Sequence, residues 1–103
     1  DSIGLANLYS QEAKFMMTGA PSISGTENIQ ATFSAIIKSG INDADLRTIE
    51  VWGTEDFITD EGEYSLFVGE AEVDQGKYLV IWKKQGGTWK FFRDIFNSNL
   101  PAQ

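Results

Sequence analysis

The sequence has neither cysteine nor histidine among its 103 residues. The first absence removes disulfides, thiolate metal sites and cysteine nucleophiles. The second removes the commonest general base near neutral pH and the commonest transition-metal ligand. Without histidine no serine can take part in a Ser-His-Asp triad. Basic residues are scarce as well: eight Lys and Arg stand against fifteen Asp and Glu, a formal net charge of −7. Such a chain cannot coat a phosphate backbone or adhere to an anionic bilayer, so neither nucleic acid nor a membrane is an expected partner. No apolar run approaches the roughly 20 residues of a membrane-spanning helix. The longest, Tyr78 to Trp82, has the length of a strand. No signal peptide pattern is visible. A start at Asp1 rather than Met reads as a processed or trimmed product; the cytoplasm is favoured and secretion stays open.

Aromatic rings, in contrast, are plentiful: three Trp, three Tyr and seven Phe make up 13% of the chain. So many large rings in one domain-sized chain imply a substantial core or a lined cavity. Residues 1–103 read as a single domain. Ile3 to Tyr9 fits a short helix capped by Asp1 or Ser2, and Ala13 to Met17 a brief extended segment broken at Gly19-Ala20-Pro21. Ser24-Gly25-Thr26-Glu27 has the spacing of a capping box. Ile29, Phe33, Ile36 and Ile37 follow at i, i+4, i+7 and i+8, one stripe of a helix from about Thr26 to Ser39, with Lys38 in its last turn and Gly40 as its stop.

Everything after Asp43 reads as strand. Leu46 to Trp52 alternates, with Ile49 and Val51 on one face. Phe57 to Thr59 is a short strand, Asp60-Glu61-Gly62 a turn, Tyr64 to Gly69 a strand, and Asp74-Gln75-Gly76 part of a loop. Lys77 to Lys84 and Thr88 to Ser98 are two long strands joined at Gln85-Gly86-Gly87, a hairpin signal. Helices followed by hairpin-linked strands spell an α+β domain with an antiparallel sheet. In the last two strands apolar groups fall on both faces: Tyr78, Val80 and Trp82 against Leu79 and Ile81, and Phe91 and Ile95 against Phe92 and Phe96. A sheet with one wet face alternates more cleanly, so both faces are expected to be covered, one by the helix and the other by a partner subunit, a ligand or a further helix.

The segments Gly76 to Lys84 and Gly87 to Ser98 resemble the final hairpin of SnoaL-like members of the nuclear transport factor 2-like superfamily. Leu8-Tyr9-Ser10-Gln11-Glu12-Ala13 is similar to that family's Tyr-x-x-Asp-Ala motif, and Ile23 to Ile29 to its Gly-x-x-x-Ile helix start. The order and spacing agree, and together these segments span nearly the whole chain. The resemblance implies a cone-shaped, cystatin-like fold: a curved sheet wrapped on helices, open at one end, with pairing of two copies through the outer face of the sheet. It also marks two departures. The family's first long helix, expected ahead of Asp1, is absent or was not kept, and the position of the ketosteroid isomerase base falls on Met17. That enzyme's buried acid falls near Gln75 or Gly76, and its phenol donor on the absent helix. The residue set therefore leans against an enzyme.

The expected function is a small homodimeric domain that binds an apolar small molecule in an aromatic-lined pocket, without a cofactor or metal. The alternatives are a structural oligomerisation module, as in the association domain of calcium/calmodulin-dependent kinase II, and an isomerase, lyase or cyclase acting on a hydrophobic substrate. Tyr9, Phe15, Met17, Phe33, Trp52, Phe67, Trp82, Phe92, Asp94 and Phe96 are the expected pocket residues. The parity of the last strand puts Trp89, Phe91, Arg93, Ile95 and Asn97 on the opposite face, the expected dimer interface. The resemblance, which sets Phe96 in the cavity, decides which face is which. Asp94 is the one candidate base, because desolvation among rings would raise its pKa. Tyr9, Tyr64 and Tyr78 read either as ligand contacts or as self-satisfied core-edge groups. The acidic pairs at Asp43-Ala44-Asp45 and Asp60-Glu61-Gly62-Glu63 lack the ligand spacing of a calcium loop and read as solvated turns.

Overall fold

The computed structural model describes residues 1–101. The chain order is α1 (Ser2–Ala6), β1 (Tyr9–Met16), β2 (Ile23–Ser24), α2 (Thr26–Lys38), β3 (Asp43–Gly53), β4 (Phe57–Val68), β5 (Ala71–Gln85) and β6 (Thr88–Ser98). The strands form one six-stranded sheet in the order β2-β1-β6-β5-β4-β3. Every neighbouring pair is antiparallel except β1 and β6, which run parallel. The α+β class and the curved sheet expected from the sequence are present.

Asp1 caps α1, its carboxylate accepting from the Gly4 amide at 2.6 Å. Helix α2 forms on its apolar stripe, but only part of that stripe is covered. Ile29 is fully buried, Phe33 and Ile36 are half-buried, and Ile37 is exposed. The capping box does not form. Ser24 is drawn into β2 opposite Lys14, and Gly25 becomes the N-cap at a φ of 86°, with its amide donated to the Ala13 carbonyl. With Gly25 at the cap, Ser24 falls one residue too early for its hydroxyl to accept from the amides of the first helical turn. Gly40 ends the helix in the left-handed region, at a φ of 106°.

The sheet departs from the sequence reading in its middle strands. Asp60-Glu61-Gly62 is not a turn, and Asp74-Gln75-Gly76 is not a loop; both lie inside long strands of 12 and 15 residues. The physical reason is a reciprocal exchange across the ladder. Gly62 stands opposite Tyr78, and Tyr64 stands opposite Gly76. A methyl at Gly62 would come within 2.3 Å of the Tyr78 hydroxyl oxygen, and one at Gly76 within 2.7 Å of the Tyr64 ring. Each tyrosine ring fills the space its glycine partner leaves empty, so neither glycine breaks its strand. Asp43-Ala44-Asp45 is likewise strand, at the start of β3. The hairpin at Gly86-Gly87 is as expected, with both residues at positive φ, 55° and 80°.

The helices lie over the β1 and β2 end of the sheet's concave face. There Ala6, Tyr9, Ala13, Phe15 and Ile29 form a buried cluster against Phe33, Phe91 and Phe96. A second cluster of Tyr64, Tyr78 and Val80 continues along the same face with Leu66 and Trp82, and shares Phe91 and Phe96 with the first.

Candidate functional site: the concave face of the sheet

The register defines this face row by row. One row reads Val51–Asp60–Val80–Asp94–Phe15, across β3, β4, β5, β6 and β1. The row on one side reads Ile58–Trp82–Phe91–Tyr9, and that on the other Thr48–Gly62–Tyr78–Phe96. Two carboxylates thus stand between two rows rich in rings. Each has an apolar residue as its strand neighbour on both sides.

Asp94 is buried, and its Oδ2 accepts from the Tyr9 hydroxyl at 2.5 Å. Loss of hydration pushes its pKa up to about 6, and the Tyr9 hydrogen bond only partly offsets that. Burial, with the neighbouring Asp94 charge adding to it, holds the Tyr9 phenol well above its ordinary value. Rings seal the pair: Tyr9 meets Phe91 edge-on at 4.9 Å between centroids, and Phe15 packs on Phe33 at 5.2 Å and on Phe96 at 5.3 Å. Asp60 lies two strands away on the side the helices leave open. One of its carboxylate oxygens is buried without a hydrogen-bond partner. Burial raises the Tyr78 phenol, and Asp60 and Asp94 both add to the shift. Thr48 Oγ1 lies 3.5 Å from the Tyr78 hydroxyl. The remaining carboxylate of this face, Asp74, is satisfied at the far end by Tyr64 at 3.1 Å and Ser98 at 2.5 Å, a structural lock.

Of the expected pocket residues, Tyr9, Phe15, Phe33, Trp82, Asp94 and Phe96 come together here, and Met17 packs against the first cluster just past β1. Trp52 and Phe67 do not join them. Trp52 pairs with Thr59 and Phe67 adjoins Leu66, so both stand on the outer face, Trp52 exposed and Phe67 half-buried. The parity argument for the last strand fails at one residue. Trp82 is opposite Phe91, but Ile81 is opposite Arg93, which leaves Phe92 as an extra residue in a β-bulge. Alternation reverses there. Phe91, expected at the dimer interface, faces inward and packs on Trp82 at 4.2 Å. Phe92, expected in the pocket, faces outward with Phe57, and the Lys83 ammonium and Arg93 guanidinium lie over its ring. Trp89 shares the inward parity of Phe91, at the hairpin end beside Lys84. Arg93, Ile95 and Asn97 stay on the outer face.

Asp60 and Thr48 were not among the expected site residues, and Val51, expected on one face with Ile49, is parted from it by a bulge between Thr48 and Glu50 that sets Val51 beside Asp60. The available signal was the period-two run Ile58, Asp60, Gly62, Tyr64, Leu66, which is continuous once Gly62 is allowed inside a strand.

Two clefts border the sheet. One, of about 580 Å³, has a mixed lining of Asn7, Tyr9, Ser10, Thr26, Thr88 and Lys90 among others, and so reaches the Tyr9 side of the site. The other, of about 420 Å³, is on the outer face between Ile49, Leu79 and Ile95, with Glu61, Glu63, Lys77 and Asn97 around it.

This architecture has many counterparts among solved structures. A protein of unknown function from Nostoc punctiforme, with a cystatin-like fold, superposes with a TM-score of 0.83 at 12% identity over 97% of this chain and 66% of its own. A ketosteroid isomerase-like protein from Erwinia carotovora gives 0.81 at 16% over 98% and 83%. A putative calcium/calmodulin-dependent kinase II association domain from Thiobacillus denitrificans gives 0.83 at 8% over 97% and 83%. The fold is nuclear transport factor 2-like. Identities this low carry the fold alone. No family model matches the sequence, and neither does any curated protein.

Proposed function

We propose that this nuclear transport factor 2-like domain binds an apolar small molecule on the concave face of its sheet and pairs with a second copy through the outer face. The observation that carries the first part is the pair of aromatic-rich rows flanking Asp60 and Asp94, on a face whose helices cover only one end. Rings supply contact area, and a few fixed polar groups supply orientation, as in small-molecule sites generally. A fluorescence titration with Nile red tests it. Trp82→Arg is expected to abolish dye binding, while Trp52→Arg, on the opposite face, leaves it unchanged. Equal effects from both, or loss at Trp52 alone, would overturn the assignment.

Pairing rests on the outer face, where Ile49, Leu79 and Ile95 are exposed side by side. Glu61 shares the Leu79–Ile95 row, Glu63 and Lys77 stand opposite each other in the row on one side, and Arg93 lies in the row on the other, so two copies related by a two-fold axis can set acid against base. Sedimentation equilibrium at tens of micromolar, a typical range for obligate dimers, is expected to show a dimer that Ile95→Asp converts to monomer. A monomer at the outset would refute the pairing. The same face keeps the structural-module reading second.

An isomerase or lyase reading ranks third. Asp94 titrates in the range of a general base, but Tyr9 holds its carboxylate inside the ring cluster and Met17 cannot accept a proton. No turnover of a β,γ-unsaturated ketosteroid is expected; turnover abolished by Asp94→Asn would reverse that ranking.

A further inference from the structure

On the concave reading just given, the charge pattern of the site specifies its ligand further. Asp60 has Val51 and Val80 as its strand neighbours, and Asp94 has Val80 and Phe15. Among the described residues neither carboxylate forms an ion pair; the salt bridge of this sheet is Arg47 to Asp45. A carboxylate oxygen buried without a donor has given up its hydration for nothing in return, and Asp60 carries one.

Its surroundings are particular. Tyr78 and Trp82 flank Val80 along β5, so they lie on the two diagonals from Asp60. Diagonal neighbours on one face are about 7–8 Å apart, within reach of large rings. A ligand head group over Asp60 would have the Tyr78 ring on one side, the Trp82 ring on the other and Val51 at the open edge. Asp94, about 10 Å further on by the strand spacing, adds negative potential from behind Val80. Ring faces are negative and attract cations.

We propose that the concave face takes an organic cation: an ammonium group seated on Asp60 between Tyr78 and Trp82, with its apolar body along the rings toward Phe91. An anionic ligand is disfavoured by the same two carboxylates. A neutral one could at most donate a hydrogen bond to the Asp60 oxygen and would leave the carboxylate charge unopposed.

The experiment is an NMR titration of the nitrogen-15-labelled protein with phenyltrimethylammonium and with its uncharged isostere tert-butylbenzene, followed at the Trp82 indole. The two probes differ in charge and hardly in shape. The ammonium is expected to bind about tenfold more tightly, the scale of a desolvated cation–ring and ion-pair contact. That preference is expected to shrink as salt is added. Asp60→Asn is expected to bring the two affinities together by weakening only the cation, and Asp94→Asn to narrow the gap less. Equal or tighter binding of tert-butylbenzene to the parent protein overturns the cation assignment and leaves the apolar site standing. If neither probe moves the Trp82 signal, both readings fall. The parent comparison and its salt dependence decide the question even if a variant does not fold.

Discussion

The two ends of the sheet use the same strand chemistry and are held in opposite ways. Where β1 and β6 lie under the helices, Tyr9, Phe15, Phe33, Phe91 and Phe96 lock ring against ring. At the other edge β3 is exposed at each of its 11 residues, although Leu46, Ile49, Val51 and Trp52 are as apolar as anything inside. What holds β3 is its ladder with β4 and little else. Asp43, Asp45, Arg47 and Glu50 are interleaved with those apolar groups, and residues 43–74 carry eleven carboxylates against one arginine. A charged edge strand resists pairing with foreign strands. The apolar pattern of a strand reports its capacity to be covered; the cover itself comes from elsewhere.

The largest test of this contrast is a pair of truncations. Phe15→Ala is expected to cost about 3–5 kcal/mol, and Trp52→Ala under about 1 kcal/mol, from urea midpoints. Equal losses would mean that the exposed edge is covered in solution. The second test is pH. The Asp94 pKa is raised in the folded state, from 3.8 to about 6, so the folded chain holds its proton more tightly than the unfolded chain does. Stability is therefore expected to fall as pH rises from about 4 to about 6, by up to about 3 kcal/mol, and to level off above. Asp94→Asn should remove that slope while the many exposed carboxylates keep theirs. An unchanged slope in the variant would place the titration outside the ring cluster.

Gly62→Ala comes next. Its methyl would meet the Tyr78 hydroxyl at 2.3 Å and the Arg47 carbonyl at 2.5 Å, and overpacking of this kind costs about 1–3 kcal/mol. A neutral result would show that the less supported half of the sheet yields where the ring-locked half would not. The smallest effect is expected for Ser24→Ala, below about 0.5 kcal/mol, because the Ser24 side chain caps nothing. A loss near 1 kcal/mol in thermal or urea unfolding would restore the capping box.

The candidate site was legible in the sequence only in part. Asp94 and most of its rings could be named because the last hairpin is strongly patterned and ends at an unmistakable Gly-Gly turn. Phe91 and Phe92 were exchanged because a bulge arises from the register between two strands, and β6 alone gives no sign of which residue is extra. Asp60 was overlooked because an acidic stretch with a glycine has the composition of a turn.

By itself the sequence determined the α+β order, the stripe that makes α2, the hairpin at Gly86-Gly87, and the absence of histidine and cysteine chemistry. Each of these is set by residues close together in the chain. The tertiary structure alone decided that β4 and β5 run unbroken through Gly62 and Gly76, that β6 reverses its faces at Phe92, and that Asp60 and Asp94 share one row. Those outcomes depend on which residues stand opposite one another across the ladder, and a glycine, a bulge or a carboxylate takes its meaning from the partner strand that fills, shifts or surrounds it.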